Sequence, residues 1–192
     1  MNERKIIDYS YENKLSHIGS CLTALPIIEE IYKIKKPDEK FVLSSGHAHL
    51  AHAVVMASQN PGHSIDEYME AGIHCDQESG CDVSTGSLGQ GLPISLGIAL
   101  ADRSKNVYCL ISDGECAEGS IWEALRLKTD LNVDNLKVYV NCNGYGAYDP
   151  IDVDKLEQRL LAFCPDINIR ITHVEGQADH YEVLTKEEYE NL

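Results

Sequence analysis

The chain has 192 residues, 31 of them acidic against 16 basic, and a formal net charge of −15. That balance excludes the basic surface that nucleic-acid binding requires and disfavours docking on an anionic membrane. The length fits one domain, residues 1–192, with ample chain for a full core.

The acidic excess is spread along the chain and densest at Glu187, Glu188 and Glu190, the pattern of a solvated surface. Seven cysteines show no regular pairing, and the usage fits a reducing, cytoplasmic setting. Cys109 and Cys142 sit in or beside apolar runs, where a free cysteine acts as a small hydrophobe. Cys75 and Cys81 flank a loop beside His74. Zinc ligation there stays a weak alternative, because no second pair at ligand spacing stands out. The polar start MNERKIIDYSYENK lacks the pattern of a signal peptide, and no run reaches the ~18 apolar residues of a membrane span.

In chain order, Ile6 to Leu15 is expected to be helical, and Ser20 to Ile34 forms a second helix with Leu22, Leu25, Ile28 and Ile31 on one face. Pro26 is expected in the first turn of that helix, where its missing N–H costs little. Phe41 to Leu43 is a short strand. Ser44 to His47 turns into an alanine-rich helix ending near Ser58. Ser64, with Glu67 three residues on, is a capping box for a short helix. Gly72 to Asp82 is a polar loop. The run Thr85 to Gly91 is glycine-rich and opens a helix reaching Ala101. A strand at 107–111, a helix at about 119–131 and a strand at 136–141 follow. Val153 to Ala162 reads as helix, Ile167 to Val174 as strand, and a short helix closes the chain after Leu184-Thr185. Strands alternating with helices imply an α/β fold: a mostly parallel sheet with helices on both faces.

In such sheets ligands sit outside the C-terminal strand ends. The strand at 107–111 runs into Asp113-Gly114, and the strand at 136–141 into Asn143-Gly144. A carboxylate and an amide oxygen at matching strand ends suit Mg2+ or Ca2+, whose remaining ligands are phosphates, carbonyls and water. Gly114 lets backbone approach a phosphate, and a following helix N-terminus favours the anion. The structural alternative is that Asp-Gly and Asn-Gly are ordinary turn dipeptides. The Gly86–Gly91 run is neither a P-loop, having no lysine after its last glycine, nor a dinucleotide fingerprint. It is a tight packing loop or a loop whose backbone contacts a flat heterocycle. His17, His47, His74 and His180 stand at loop–helix junctions, where imidazoles cap helices or serve an anionic site. His49 reads as an ordinary helix residue.

Together these segments resemble the thiamine-diphosphate-binding N-terminal part of transketolases. The resemblance rests on His17-Ile-Gly-Ser, on Phe41-Val-Leu-Ser-Ser-Gly-His-Ala and on Ser84-Thr-Gly-Ser-Leu-Gly-Gln-Gly. It continues through Asp113-Gly-Glu with Glu118-Gly and Trp122-Glu-Ala, then Asp134-Asn-Leu and Asn143-Gly. It implies that Asp113, Asn143 and the Tyr145 carbonyl hold the metal. Gly114, Glu115 and His47 would serve the diphosphate, while Gly86, Ser87 and Leu88 would serve the aminopyrimidine side. His17 and His74 would face the substrate channel, and Glu118 and Glu123 would join a carboxylate network at an interface between subunits. If Leu184-Thr-Lys-Glu-Glu-Tyr is the family's closing helix, His180 lies near the diphosphate. If Glu175 to His180 matches an earlier loop, His180 has no family role. The first alternative is favoured.

Departures are informative. Ser45 stands where the family commonly has lysine, Asn141 where it commonly has aspartate, and the stretch Asp149 to His180 is short. The family's second domain, which binds the aminopyrimidine and supplies the activating glutamate, has no counterpart here. The resemblance is therefore to the smaller subunit of a split transketolase, whose partner is a separate C-terminal subunit, in a homodimer or heterotetramer. It implies transfer of a two-carbon ketol unit between sugars or sugar phosphates, with the cofactor as electron sink. The alternatives are a related thiamine-dependent subunit of another sugar pathway and a degenerate, non-catalytic assembly module.

Overall fold

The structure is a computed structural model and describes residues 1–146, 149–172 and 182–192. Its centre is a parallel sheet of four strands in the order β1-β2-β3-β4: β1 (Lys40–Leu43), β2 (Val107–Ser112), β3 (Leu136–Cys142) and β4 (Asn168–Ile171). The strands are apolar on both faces because both faces are covered. Phe41, Leu43, Tyr108, Leu110 and Tyr139 point into one core. That core is closed by α1 (Asn2–Asn13), α2 (Ile18–Ile34) and α3 (His49–Gln59). Val42, Cys109, Ile111, Val138 and Val140 point the other way, into a core closed by α5 (Gly91–Ala101), α6 (Gly119–Asp130) and α7 (Val153–Phe163). Each such aliphatic side chain contributes roughly 1.5–3 kcal/mol on burial, so the two cores fix the sheet from above and below.

The short α4 (Ile65–Met69) carries the expected capping box. Ser64 Oγ accepts from Glu67 N, and Glu67 returns a bond to Ser64 N. The terminal α8 (Lys186–Asn191) docks on α1, with Tyr189 stacked on Tyr11 at 4.1 Å between ring centroids and its hydroxyl 2.9 Å from Asp8.

Two expectations need correction. Helix α2 begins at Ile18, so Pro26 lies in its interior, not its first turn. The helix continues through the proline because the ring lies on the exposed side while residues on either side of it are buried. Tertiary burial here outweighs the lost hydrogen bond, a tertiary override of local propensity. Strand β4 spans only Asn168–Ile171. His173 and Val174, expected to extend it, lie outside the described residues, as does His180.

Candidate functional site

A cleft of about 330 Å³ opens at the C-terminal ends of β1, β2 and β3. The turn after β1 contributes Ser45, His47 and Ala48. The end of β2 contributes Ser112, Asp113 and Gly114, and the end of β3 contributes Asn141, Asn143 and Tyr145. From the sides come His17, just before α2, Ser20 of α2, and His74, Gly86 and Leu88 of the connection between α4 and α5. Parallel register makes this convergence possible: Ser112 pairs with Asn141, so the residues that follow each strand leave the sheet side by side.

Asp113 is 2% exposed. Its Oδ1 accepts from Gly114 N at 2.9 Å and its Oδ2 from Gly144 N at 2.7 Å. Burial pushes the carboxyl above its usual range, and these backbone N–H groups oppose the rise. Among the described residues no Lys or Arg forms an ion pair with it. Asn143, 6% exposed, has its amide orientation set by Thr23. The Thr23 hydroxyl hydrogen is directed at the Gly19 carbonyl, 2.9 Å away, so its lone pairs accept from Asn141 Nδ2 at 2.9 Å and Asn143 Nδ2 at 3.3 Å. Asn143 Oδ1 therefore faces the Tyr145 N–H at 3.0 Å, with a second lone pair to offer. A buried carboxylate without a cationic partner, beside an amide oxygen, is a donor set that fits a hard divalent cation.

The histidines gather at the mouth. His17, the residue before α2, adopts the left-handed conformation, φ 63°, and its ring lies 5.0 Å from that of His47. A non-glycine residue held in that region is a local strain of the kind that accumulates at working sites. His74 packs on the other wall, where a Cβ added at Gly86 would meet its ring at 3.0 Å.

Gly46 fixes the floor. A Cβ there would stand 2.6 Å from the Thr85 carbonyl oxygen and 2.9 Å from Gly86 N, both backbone atoms. Gly46→Ala is expected to push the glycine-rich loop off the turn after β1, lowering stability by about 1–3 kcal/mol. Urea denaturation measures the loss.

The remaining expected site residues fall elsewhere. Glu115, expected among the cofactor-binding residues, does not line the cleft and serves as a buried support. It is 0% exposed and accepts from Ser44 Oγ at 2.6 Å, Gly89 N at 2.9 Å and Ser112 N at 3.0 Å. It thereby ties the ends of β1 and β2 to the glycine-rich loop. Ser87 is exposed and outside the cleft lining. Glu118 precedes α6 and lies against Gly89, while Glu123 is exposed on that helix; neither lines the cleft. Ser20, Ser45, Ala48, Ser112 and Asn141 line it too, although the sequence reading gave none of them a site role. The available signal for Asn141 was period two: it precedes Asn143, just beyond β3, by two positions, and both amides reach the Thr23 hydroxyl.

Residues 2–166 match the family described as 1-deoxy-D-xylulose-5-phosphate synthase. Human transketolase is 32% identical over 178 residues, covering 77% of this chain and 28% of that protein. An apulose-4-phosphate transketolase subunit of Phocaeicola vulgatus is 29% identical over 163 residues, covering 74% of this chain and 58% of that protein. The chain thus spans under a third of human transketolase and rather more than half of the bacterial protein. Among solved structures, transketolase of Pichia stipitis superposes with a TM-score of 0.69 at 19% identity, over 89% of this chain and 35% of that one. Transketolase of Campylobacter jejuni gives 0.65 at 20% identity, over 83% and 31%. With the parallel sheet and the strand-end cleft already in place, these matches show that the chain belongs to the family of N-terminal domains shared by 1-deoxy-D-xylulose-5-phosphate synthase and transketolase.

Proposed function

We propose that this chain is the diphosphate- and metal-binding subunit of a thiamine-diphosphate-dependent transketolase, residues 1–192 forming one cofactor-binding domain. One observation carries the reading: Asp113 and Asn143 stand at adjacent parallel strand ends, the N–H of Gly144 beside Asn143 donating to Asp113, and the buried carboxylate lacks a cationic partner among the described residues. Asp113, Asn143 and the Tyr145 carbonyl would hold Mg2+ or Ca2+, which would supply the positive charge that a diphosphate needs beside this carboxylate. When bound, thiamine diphosphate supplies the electron sink for transfer of a two-carbon ketol unit. The chain's own residues bind and orient. Gly114 offers a close backbone approach to the diphosphate, and His47 a ring donor. Gly86 and Leu88 shape the wall toward the heterocycle. His17 and His74 flank the mouth, placed to hold sugar hydroxyls and to move protons there.

The partner requirement rests on the match to a protein whose own name marks it as one subunit of an enzyme. Glu118 and Glu123, outside the cleft at and on α6, would meet that assembly's interface. A second reading, a synthase forming a deoxyketose phosphate, is favoured by the description of the matching family. The test is a ketol-transfer assay on the chain with and without the polypeptide of the neighbouring reading frame, plus thermal denaturation with thiamine diphosphate and Mg2+. Cofactor at a hundredfold excess over its Kd should stabilise the fold by about 2.7 kcal/mol, a rise of roughly 5–10 °C. Turnover by the chain alone would overturn the partner requirement. Absence of any thermal shift, with or without partner, would favour a non-catalytic module.

A further inference from the structure

Behind the glycine-rich wall of the cleft lie four side chains that the catalytic reading does not use: His49 and His52 of α3, and Cys75 and Cys81 of the long connection between α4 and α5. They are 0%, 2%, 3% and 7% exposed. Their ligand atoms all lie within 4.8 Å of one another. Cys75 Sγ is 3.4 Å from His49 Nδ1 and 4.0 Å from His52 Nδ1; Cys81 Sγ is 3.7 and 3.6 Å from the same two atoms. Zinc bonds of about 2.3 Å to sulfur and about 2.0–2.1 Å to nitrogen, opened to the tetrahedral angle, put sulfur and nitrogen about 3.6 Å apart. The four separations bracket that value.

The outer nitrogens are held as well. His49 Nε2 lies 2.8 Å from the Tyr68 carbonyl oxygen. A carbonyl only accepts, so Nε2 carries the hydrogen and Nδ1 presents its lone pair to the two sulfurs. His52 Nε2 lies 2.6 Å from the Tyr32 hydroxyl, which can accept in the same sense. Oxygen partners on the far nitrogen are the usual means of orienting a metal-bound imidazole. Charge is balanced too: two thiolates and two neutral imidazoles around a divalent cation sum to zero, the state an enclosed apolar setting tolerates. The surroundings are of that kind, with Phe41 and Tyr32 edge-on to His52.

We propose that His49, His52, Cys75 and Cys81 form a closed, tetrahedral structural zinc site that clamps the α4–α5 connection to α3. All four positions are filled by protein, so the ion is structural rather than catalytic. Thiolate and imidazole ligands in this geometry select zinc over the hard cation suited to the oxygen donors at Asp113. The clamp stands next to the cleft: His74 adjoins Cys75, and the Thr85 N–H donates to the Cys75 carbonyl at 3.0 Å. A disulfide between Cys75 and Cys81 would explain the sulfurs alone, leaving two inward-facing imidazoles unexplained.

The full chain, purified without added metal or chelator, is expected to carry ~1 zinc per chain by elemental mass spectrometry. Cys75→Ser with Cys81→Ser should lose that zinc, whereas His63→Gln, at an exposed histidine, should keep it. If the double variant fails to fold, the wild-type protein decides. A mercurial titrating two thiols should release the zinc, and exchange with Co2+ should give the intense visible absorption of a tetrahedral thiolate complex. Removing the metal should lower Tm by ~10 °C or more. A folded wild-type chain without stoichiometric zinc after exposure to Zn2+, a Cys75–Cys81 disulfide, an octahedral Co2+ spectrum, or zinc retained by the folded double variant would each overturn the assignment. Because none of these readouts uses thiamine diphosphate or a partner, failure here is distinct from failure of the proposed function.

Discussion

Asp113→Asn is expected to lower ketol-transfer activity of the assembled enzyme by at least ~100-fold, because it removes the one charged donor of the proposed Mg2+ site and exceeds the 10–100-fold typical of outer-shell losses. The variant should also lose the thermal shift produced by thiamine diphosphate with Mg2+. Without ligand its stability should change by no more than about 1–3 kcal/mol, relief of the buried charge opposing the amide NH2 that now faces the Gly114 or Gly144 N–H. Asp113 is buried, its burial disfavours the charge, and no ion pair among the described residues offsets that cost. The asymmetry distinguishes a cofactor-binding role from a folding role: activity and ligand-dependent stabilisation collapse while the ligand-free fold persists. Paired melting curves with and without the ligands, beside the activity assay, check it. A variant that unfolds without ligand would show Asp113 to be a structural residue, capping the Gly114 and Gly144 amides.

Glu115→Ala is expected to behave in the opposite way. Two oxygens of this fully buried side chain serve three donors: the Ser44 hydroxyl, the Gly89 N–H and the Ser112 N–H. Ser44 in turn accepts from Gly91 N at 3.1 Å, so the start of α5 hangs on the same network. Removing the carboxylate strands those groups in a dry interior and leaves a cavity. The expected cost is about 3–5 kcal/mol, roughly 10–15 °C in Tm. Burial pushes this carboxyl up, and the three hydrogen bonds restrain the rise. Glu115→Gln keeps the shape but turns an amide NH2 toward a donor at one oxygen, so it should cost less, about 1–3 kcal/mol. Urea denaturation of both variants checks the order. A loss under about 1 kcal/mol for the alanine variant would show that water replaces the carboxylate.

The strands and their tips were legible in the sequence because each is a local pattern. Val107 to Ile111 and Leu136 to Val140 are short apolar runs, and each ends in a polar dipeptide that leaves the sheet. The Ser64–Glu67 cap was legible for the same reason, its two bonds spanning three residues. Pro26 misled because its tolerance inside α2 depends on what packs against the turns around it, not on the residues beside it. Glu115 shows the limit of a local motif more sharply. In sequence it adjoins Asp113-Gly114 and shares their motif; in space its side chain points below the cleft toward Ser44 and Gly89, partners 71 and 26 residues away.

The cysteines show the same limit. Cys75 and Cys81 could be seen as a pair, but their complement lay 23 to 32 residues earlier, at His49 and His52. The i, i+3 spacing of those histidines on one helix face was the available signal. Sequence alone determined the strand–helix alternation, the metal-type donors at two strand ends and the family resemblance, since these rest on residue identity and short-range periodicity. Only the tertiary structure decided which polar groups line the cleft, which lie beneath it, and which histidines face the two sulfurs. Those distinctions depend on side-chain direction and long-range contact, which a linear pattern does not encode.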